Sequence, residues 1–157
     1  LVPIMLTRMF ITSKNKYNKK IENAIKKINK LTANPETSFK FDAERFKEIE
    51  LFVYGQRPIT YKPAWGLKLF WKDNLPTLRY HNPDIQFTVN NITVESESEL
   101  SKLPLKLKVH GTDQSNSFEI NCTDKPPSKI LSELIEITKA RKLTEEELPK
   151  LPLRPVK

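Results

Sequence analysis

Cysteine is almost missing from this chain. Cys122 is the only one in 157 residues, so an intrachain disulfide, a Cys-x-x-Cys redox pair and a cysteine-based zinc cluster are all excluded. A reducing compartment fits that usage. Histidine is nearly as scarce: His81 and His110 stand alone, without an acid or thiol at metal-ligand spacing, so no metal is expected. The three glycines, Gly55, Gly66 and Gly111, are too scattered to build a phosphate loop, a dinucleotide fingerprint or a nucleophile elbow. The longest uniformly apolar run of the central region, near Leu51 to Tyr54, falls far short of the roughly 18 residues of a membrane-spanning helix. These absences lead us to expect no enzyme activity, no cofactor, no small-molecule substrate and no membrane span.

What is present is positive charge, unevenly placed. The net charge is +8 with a pI near 9.5, which favours a polyanionic partner because clustered cations displace condensed counterions from phosphates. Residues 1–47 hold 11 Lys or Arg against 4 acids, residues 48–94 hold 5 against 4, and the remainder balances at 11 against 11. The first twenty residues carry Arg8, Lys14, Lys16, Lys19 and Lys20 with no acid. That pattern suits a mitochondrial transit segment and an RNA-binding arm equally. The 12 prolines gather near Pro58 and Pro63, at Pro126 and Pro127, and from Pro149 to Pro155, marking loops and an extended end.

Periodicity predicts one α/β domain with extensions. Ile21, Ile25, Ile28 and Leu31 recur at helical spacing with Lys26, Lys27 and Lys30 between them, an amphipathic helix with a narrow apolar stripe ending near Asn34-Pro35. Residues 49–54 read as a buried strand closed by Gly55. From Ala64, residues Leu67, Phe70, Trp71, Leu75 and Leu78 share one helical face, with Pro76 expected to kink the helix or restart it from a first turn. Residues 85–89 alternate as a second strand, parallel to the first through the helical crossover. The runs 105–109 and 118–122 predict an antiparallel hairpin, and Ile130, Leu131, Leu134, Ile135 and Ile137 mark a closing helix. Thr144 with Glu147 fits a capping box for one last short helix cut off by Pro149. The order βαβ then ββα is that of a thioredoxin-like core. We divide the chain into a basic arm and helix (1–45), the thioredoxin-like domain (46–140), and a short helix with a Pro-rich tail (141–157).

The second helix carries more information than its period. Leu69-Phe70-Trp71-Lys72-Asp73-Asn74-Leu75-Pro76-Thr77-Leu78-Arg79-Tyr80-His81-Asn82-Pro83 resembles the signature F-W-(R/K)-x-x-L-P-x-L-(K/R)-Y-H-N-P of a mitochondrial ribosomal protein family. That family also includes a small accessory subunit of respiratory complex I. The resemblance extends more weakly from Phe46 to Lys139, and the Phe70-Trp71 pair with the full Tyr80-His81-Asn82-Pro83 string looks most like the fungal large-subunit branch. It departs at Tyr61-Lys62-Pro63-Ala64-Trp65-Gly66-Leu67-Lys68, where the family pattern has a Gly-rich segment with a small residue and Arg. The resemblance implies a structural constituent of the mitochondrial large ribosomal subunit in the matrix, with rRNA and neighbouring ribosomal proteins as partners. The alternative is a complex I accessory subunit, which would need no basic first third.

Candidate RNA-contacting residues are Arg8, Lys14, Lys16, Lys19, Lys20, Lys26 and Lys27 of the arm and helix, able to lie along phosphates without reading bases. Arg79, Tyr80 and His81 join them as a cation beside two ring faces. Each has a plainer reading: a lysine run is often a solvated face, and Tyr80 packs under the second strand while Asn82-Pro83 fixes a turn. Trp71 reads as core and Cys122 as a small buried apolar residue. Leu148, Leu151 and Leu153 interleave with Pro149, Pro152 and Pro155, a pattern that favours an extended strand docking into a neighbour's groove.

Overall fold

Alternation builds the central strand: Ile49, Leu51 and Val53 are buried while Glu48, Glu50 and Phe52 between them are half-buried on the opposite face, as a strand's two-residue period requires. The computed structural model describes residues 19–55 and 59–153. Helix α1 occupies 19–32, followed by β1 (Phe39–Lys40) and the central β2 (Phe46–Tyr54). After α2 (Trp65–Leu69) and a π turn (Phe70–Asn74) comes α3 (Leu75–His81), then β3 (Gln86–Ile92), β4 (Lys106–Gly111) and β5 (Phe118–Asn121). Helix α4 (Pro127–Thr138) and β6 (Arg141–Lys142) complete the order.

The four-stranded sheet runs β3-β2-β4-β5. β2 and β3 are parallel, while β4 is antiparallel to both its neighbours, so the expected parallel crossover pair and hairpin are both present. Helix α4 packs on α2 and on the π turn. Phe46, Ile49 and Leu51 of β2 share one core with Leu107 and Val109 of β4, Leu67, Phe70 and Leu78 of the middle helix, and Ile130 and Leu134 of α4. The strands differ from expectation mainly at their ends: β2 begins three residues earlier, at Phe46, and β3 runs on to Ile92. Backbone pairing across the sheet, which no side-chain pattern announces, extends them.

Of the two outcomes expected at Pro76, the restart is the one seen. The proline sits in the first turn of α3, and the turn before it widens, with the Leu75 amide donating to the Phe70 carbonyl five residues back. A π turn of this kind absorbs a hydrogen bond that proline cannot donate. It also keeps Phe70 and Leu75, five residues apart, on the same buried face. Phe70 is therefore core, whereas Trp71, expected there, is only half-buried at its margin.

The capping box of Thr144 and Glu147 is present, but it closes a single 3-10 turn (Glu145–Glu147) in place of a short α-helix. Arg141 donates to both Glu147 carboxylate oxygens at 2.7 and 2.9 Å. That guanidinium contact is the largest cause holding the Glu147 carboxyl down at about 2. Beyond the turn the extended tail passes α1, where Leu151 donates to and accepts from the Asn29 side chain at 2.8 and 2.9 Å. Two short strands were not anticipated: β1 pairs antiparallel with β6. Two residues per strand are too few for any period to show.

Gly66 is needed where α2 meets the loop entering α4. A Cβ there would lie 1.6 Å from the Lys125 carbonyl oxygen, which is backbone and cannot swing away. The adjoining Asp124 amide donates to the Pro63 carbonyl at 2.8 Å, locking the same approach. Gly66→Ala is expected to destabilise the protein by about 2 kcal/mol or more through overpacking. Gly55→Ala, which meets only the flexible end of Lys68 at 3.3 Å, should cost far less. Denaturant unfolding of the two variants checks the contrast, and equal midpoints would show that the loop yields.

Candidate functional site

The signature segment ends in a clamp. Asn82 is 2% exposed, and its side chain makes three hydrogen bonds: Oδ1 accepts from the Phe41 amide at 2.8 Å, and Nδ2 donates to the carbonyls of Phe39 at 2.9 Å and Leu78 at 2.8 Å. This ties the end of α3 to β1. Lys40 adds a bond from its ammonium to the His81 carbonyl at 3.1 Å. The segment leading out of α1 is thereby held against the middle helix, and two stretches far apart in sequence share one face.

That face is a seam between α1 and the middle helix. Lys27, Lys30 and Leu31 from α1 line a shallow cavity of about 190 Å³ with Lys72, Asp73, Pro76 and Thr77. Beside it, Leu31 and Pro76 border a cleft of about 430 Å³ that also takes in Trp71, Arg79, Tyr80, Phe87 and Val89. Asp73 is the one acid lining either cavity. Among the described residues the ion pairs engage Lys106, Lys108, Lys125, Arg141 and His110, and none engages Lys27, Lys30, Lys72 or Arg79. Three lysines thus line the seam and one arginine the adjoining aromatic cleft, all four outside the ion pairs of the described residues.

The sequence-derived candidates fall into three groups. Arg8, Lys14 and Lys16 lie outside the described residues. Lys19, Lys20, Lys26 and Lys27 are exposed on α1, and Lys27 alone of the four lines the seam. Arg79 and Tyr80 are exposed in the cleft, Tyr80 at 49%, so Tyr80 does not pack beneath the second strand. It faces outward because residues 79 and 80 share the exposed side of α3 with Pro76, opposite buried Thr77 and Leu78.

His81 behaves differently from its neighbours. Its ring is half-buried, edge-on to Tyr80 with centroids 5.0 Å apart, and its Nε2 is buried with no partner among the described residues. Burial first, then the Lys40 charge, lowers its pKa below 6.5, against an opposing contribution from the Thr32 backbone. The lowered value disfavours the charged ring. Lys30 and Lys72 were the residues missed. Their period marks them only as solvent-facing, and nothing in it says that they face each other.

Cys122 is fully buried just past β5, its thiol directed at the Ile120 carbonyl at 3.5 Å. Desolvation is the main cause pushing the thiol up to about 12. A thiol so placed is neither nucleophile nor redox centre. Among the described residues no group of three or more His, Cys, Asp or Glu is placed to hold a metal, and no helix is long and apolar enough to cross a membrane.

Residues 67–127 match the model of the mitochondrial ribosomal protein L51 / S25 / CI-B8 domain, in agreement with the resemblance carried by the middle helix. More particularly, the chain is similar to the large ribosomal subunit protein mL61 of Saccharomyces cerevisiae, at 24% identity over 130 residues, 82% of this chain and 91% of that protein.

Two outcomes follow from these contacts. Asn82→Ala should cost about 3 kcal/mol, since it strands a buried amide and two carbonyls at once. Urea unfolding measures the loss, and a shift below about 1 kcal/mol would mean that water replaces the clamp. Native Cys122 should resist a disulfide reagent at pH 8, where about one thiol in ten thousand is ionised at the pKa given above, and react only on unfolding. Rapid labelling of the folded protein would contradict its burial.

Proposed function

We propose that this protein is a non-catalytic structural subunit of the mitochondrial ribosome, seated in the large subunit within the matrix, where it contacts rRNA and neighbouring ribosomal proteins. The observation that carries the reading is the seam: Lys27 and Lys30 from α1 stand beside Lys72, and Arg79 flanks the adjoining cleft. Such a row neutralises phosphates and positions a protein on RNA without selecting sequence. Likeness to a protein named for the large ribosomal subunit points to the same assembly.

The domain we assign is thioredoxin-like. Its strand order β3-β2-β4-β5, with β4 the single antiparallel strand, supports that assignment, while the loop before the middle helix offers no cysteine. The family's scaffold is thus used here for shape. On this reading the segment 1–45 supplies the basic arm and helix, 46–140 the domain, and 141–157 a tail for a neighbouring protein, with Leu151 and Leu153 left exposed. A complex I accessory subunit shares the domain but has no use for a cationic seam.

The test is sedimentation of detergent-lysed mitochondria across a salt series. The chain should travel with the large ribosomal subunit. Replacing Lys27, Lys30, Lys72 and Arg79 together with Ala should flatten the log–log salt dependence of its retention by about 3, at roughly 0.7–0.9 per phosphate contact. Migration with complex I, or an unchanged salt slope in the variant, would overturn the reading.

A further inference from the structure

At the C-terminal end of β2 lies a third cavity, of about 350 Å³. Its wall is built from Tyr54, Tyr61, Trp65, Lys68, Leu69 and Lys72, and among the described residues no acid lines it. Tyr54 is buried, and its hydroxyl donates to the Ile59 carbonyl at 2.8 Å, so that side of the cavity is fixed. Trp65 and Leu69, one helical turn apart, stay 52% and 47% exposed. The Lys68 stem lies over Gly55, within 3.3 Å of where a Cβ would stand. The fold thus leaves a large indole and a leucine in water beside two ammonium groups. The volume lies within the roughly 300–1,000 Å³ of small-ligand sites.

We propose that this cavity takes one unpaired nucleotide of an RNA strand, its base stacked on Trp65 and Tyr61 and its phosphate held by Lys68 and Lys72. An aromatic face beside cations is the arrangement that binds single-stranded RNA without sequence choice. A purely apolar occupant would leave both ammonium groups without counter-charge, which sets an apolar peptide segment of a neighbouring protein behind a nucleotide. Continuity supports the same occupant: Lys72 also lines the seam cavity with Lys27 and Lys30, so a strand lying along the seam arrives at the indole. The proposal rests on the rRNA reading and deepens it, adding capture of a flipped-out base to phosphate contact.

The test uses the full chain and two labelled probes, a short oligoadenylate and a fully paired RNA duplex, with affinity read by anisotropy. Trp65→Ala should weaken oligoadenylate binding about tenfold, in keeping with the loss of one stacked base, and leave duplex binding unchanged. Trp65→Phe should recover most of the loss, and thermal melting of both variants confirms that they fold. A photoreactive adenosine in the oligonucleotide should crosslink to Trp65 or Tyr61. The proposal is overturned if Trp65→Ala weakens both probes alike or neither, or if the crosslinks fall elsewhere. In that event a Lys27→Ala, Lys30→Ala double variant that still loses affinity for both probes leaves the rRNA reading standing. Failure of the unaltered chain to bind either probe ends both. If Trp65→Ala binds oligoadenylate normally but loses a neighbouring ribosomal protein, the occupant is protein and the proposal is wrong.

Discussion

The Asn82 carboxamide is the joint on which the arrangement of this molecule depends. It makes three hydrogen bonds out of one buried side chain, two of them to the backbone of Phe39 and Phe41. β1 is too short to hold itself in place, and its partner β6 is equally short. Without this buried polar anchor the segment between α1 and β2 would lose two hydrogen bonds to the end of α3. Ser38 extends the fastening, with its hydroxyl bonded to Asn34 and its carbonyl accepting from Leu143. Desolvation makes each unmade bond at such a site costly, so the clamp specifies geometry as well as adding stability.

The wide turn before Pro76 has a comparable reach. A regular helix places residues three and four apart on one face, yet this helix buries Phe70 and Leu75, five apart. The π turn rotates everything after it. Trp65 and Leu69 precede the turn and face one cavity, while Arg79 and Tyr80 follow it and face another. Lys72, inside the turn, borders both the first cavity and the seam. One missing amide proton therefore sets the angular relation between two candidate binding surfaces.

Local order and site chemistry were legible in the sequence wherever one period or one residue type sufficed. The helix at Ile21 to Leu31, the alternating strands, the capping box and the disruption at Pro76 rest on spacing, and the structure carries all of them. The lysine excess was visible by counting. Its convergence with Arg79 was not, because the two stretches lie about fifty positions apart and a buried asparagine brings them together. Trp71 was misjudged because a helical period assumes regular turns, and here a turn widens between residues 70 and 74.

By itself the sequence determined what this protein cannot do by cysteine chemistry, where its positive charge lies, and which segments alternate or wind. Those properties are additive over residues or local in spacing, and so they survive without a partner. Only the tertiary structure decided which cations face one another and that Trp65 stands in water beside Lys68 and Lys72. Burial and juxtaposition are properties of pairs of distant segments. They come into being when Asn82 draws β1 onto α3 and Gly66 lets Lys125 reach α2, contacts that no period along the chain encodes.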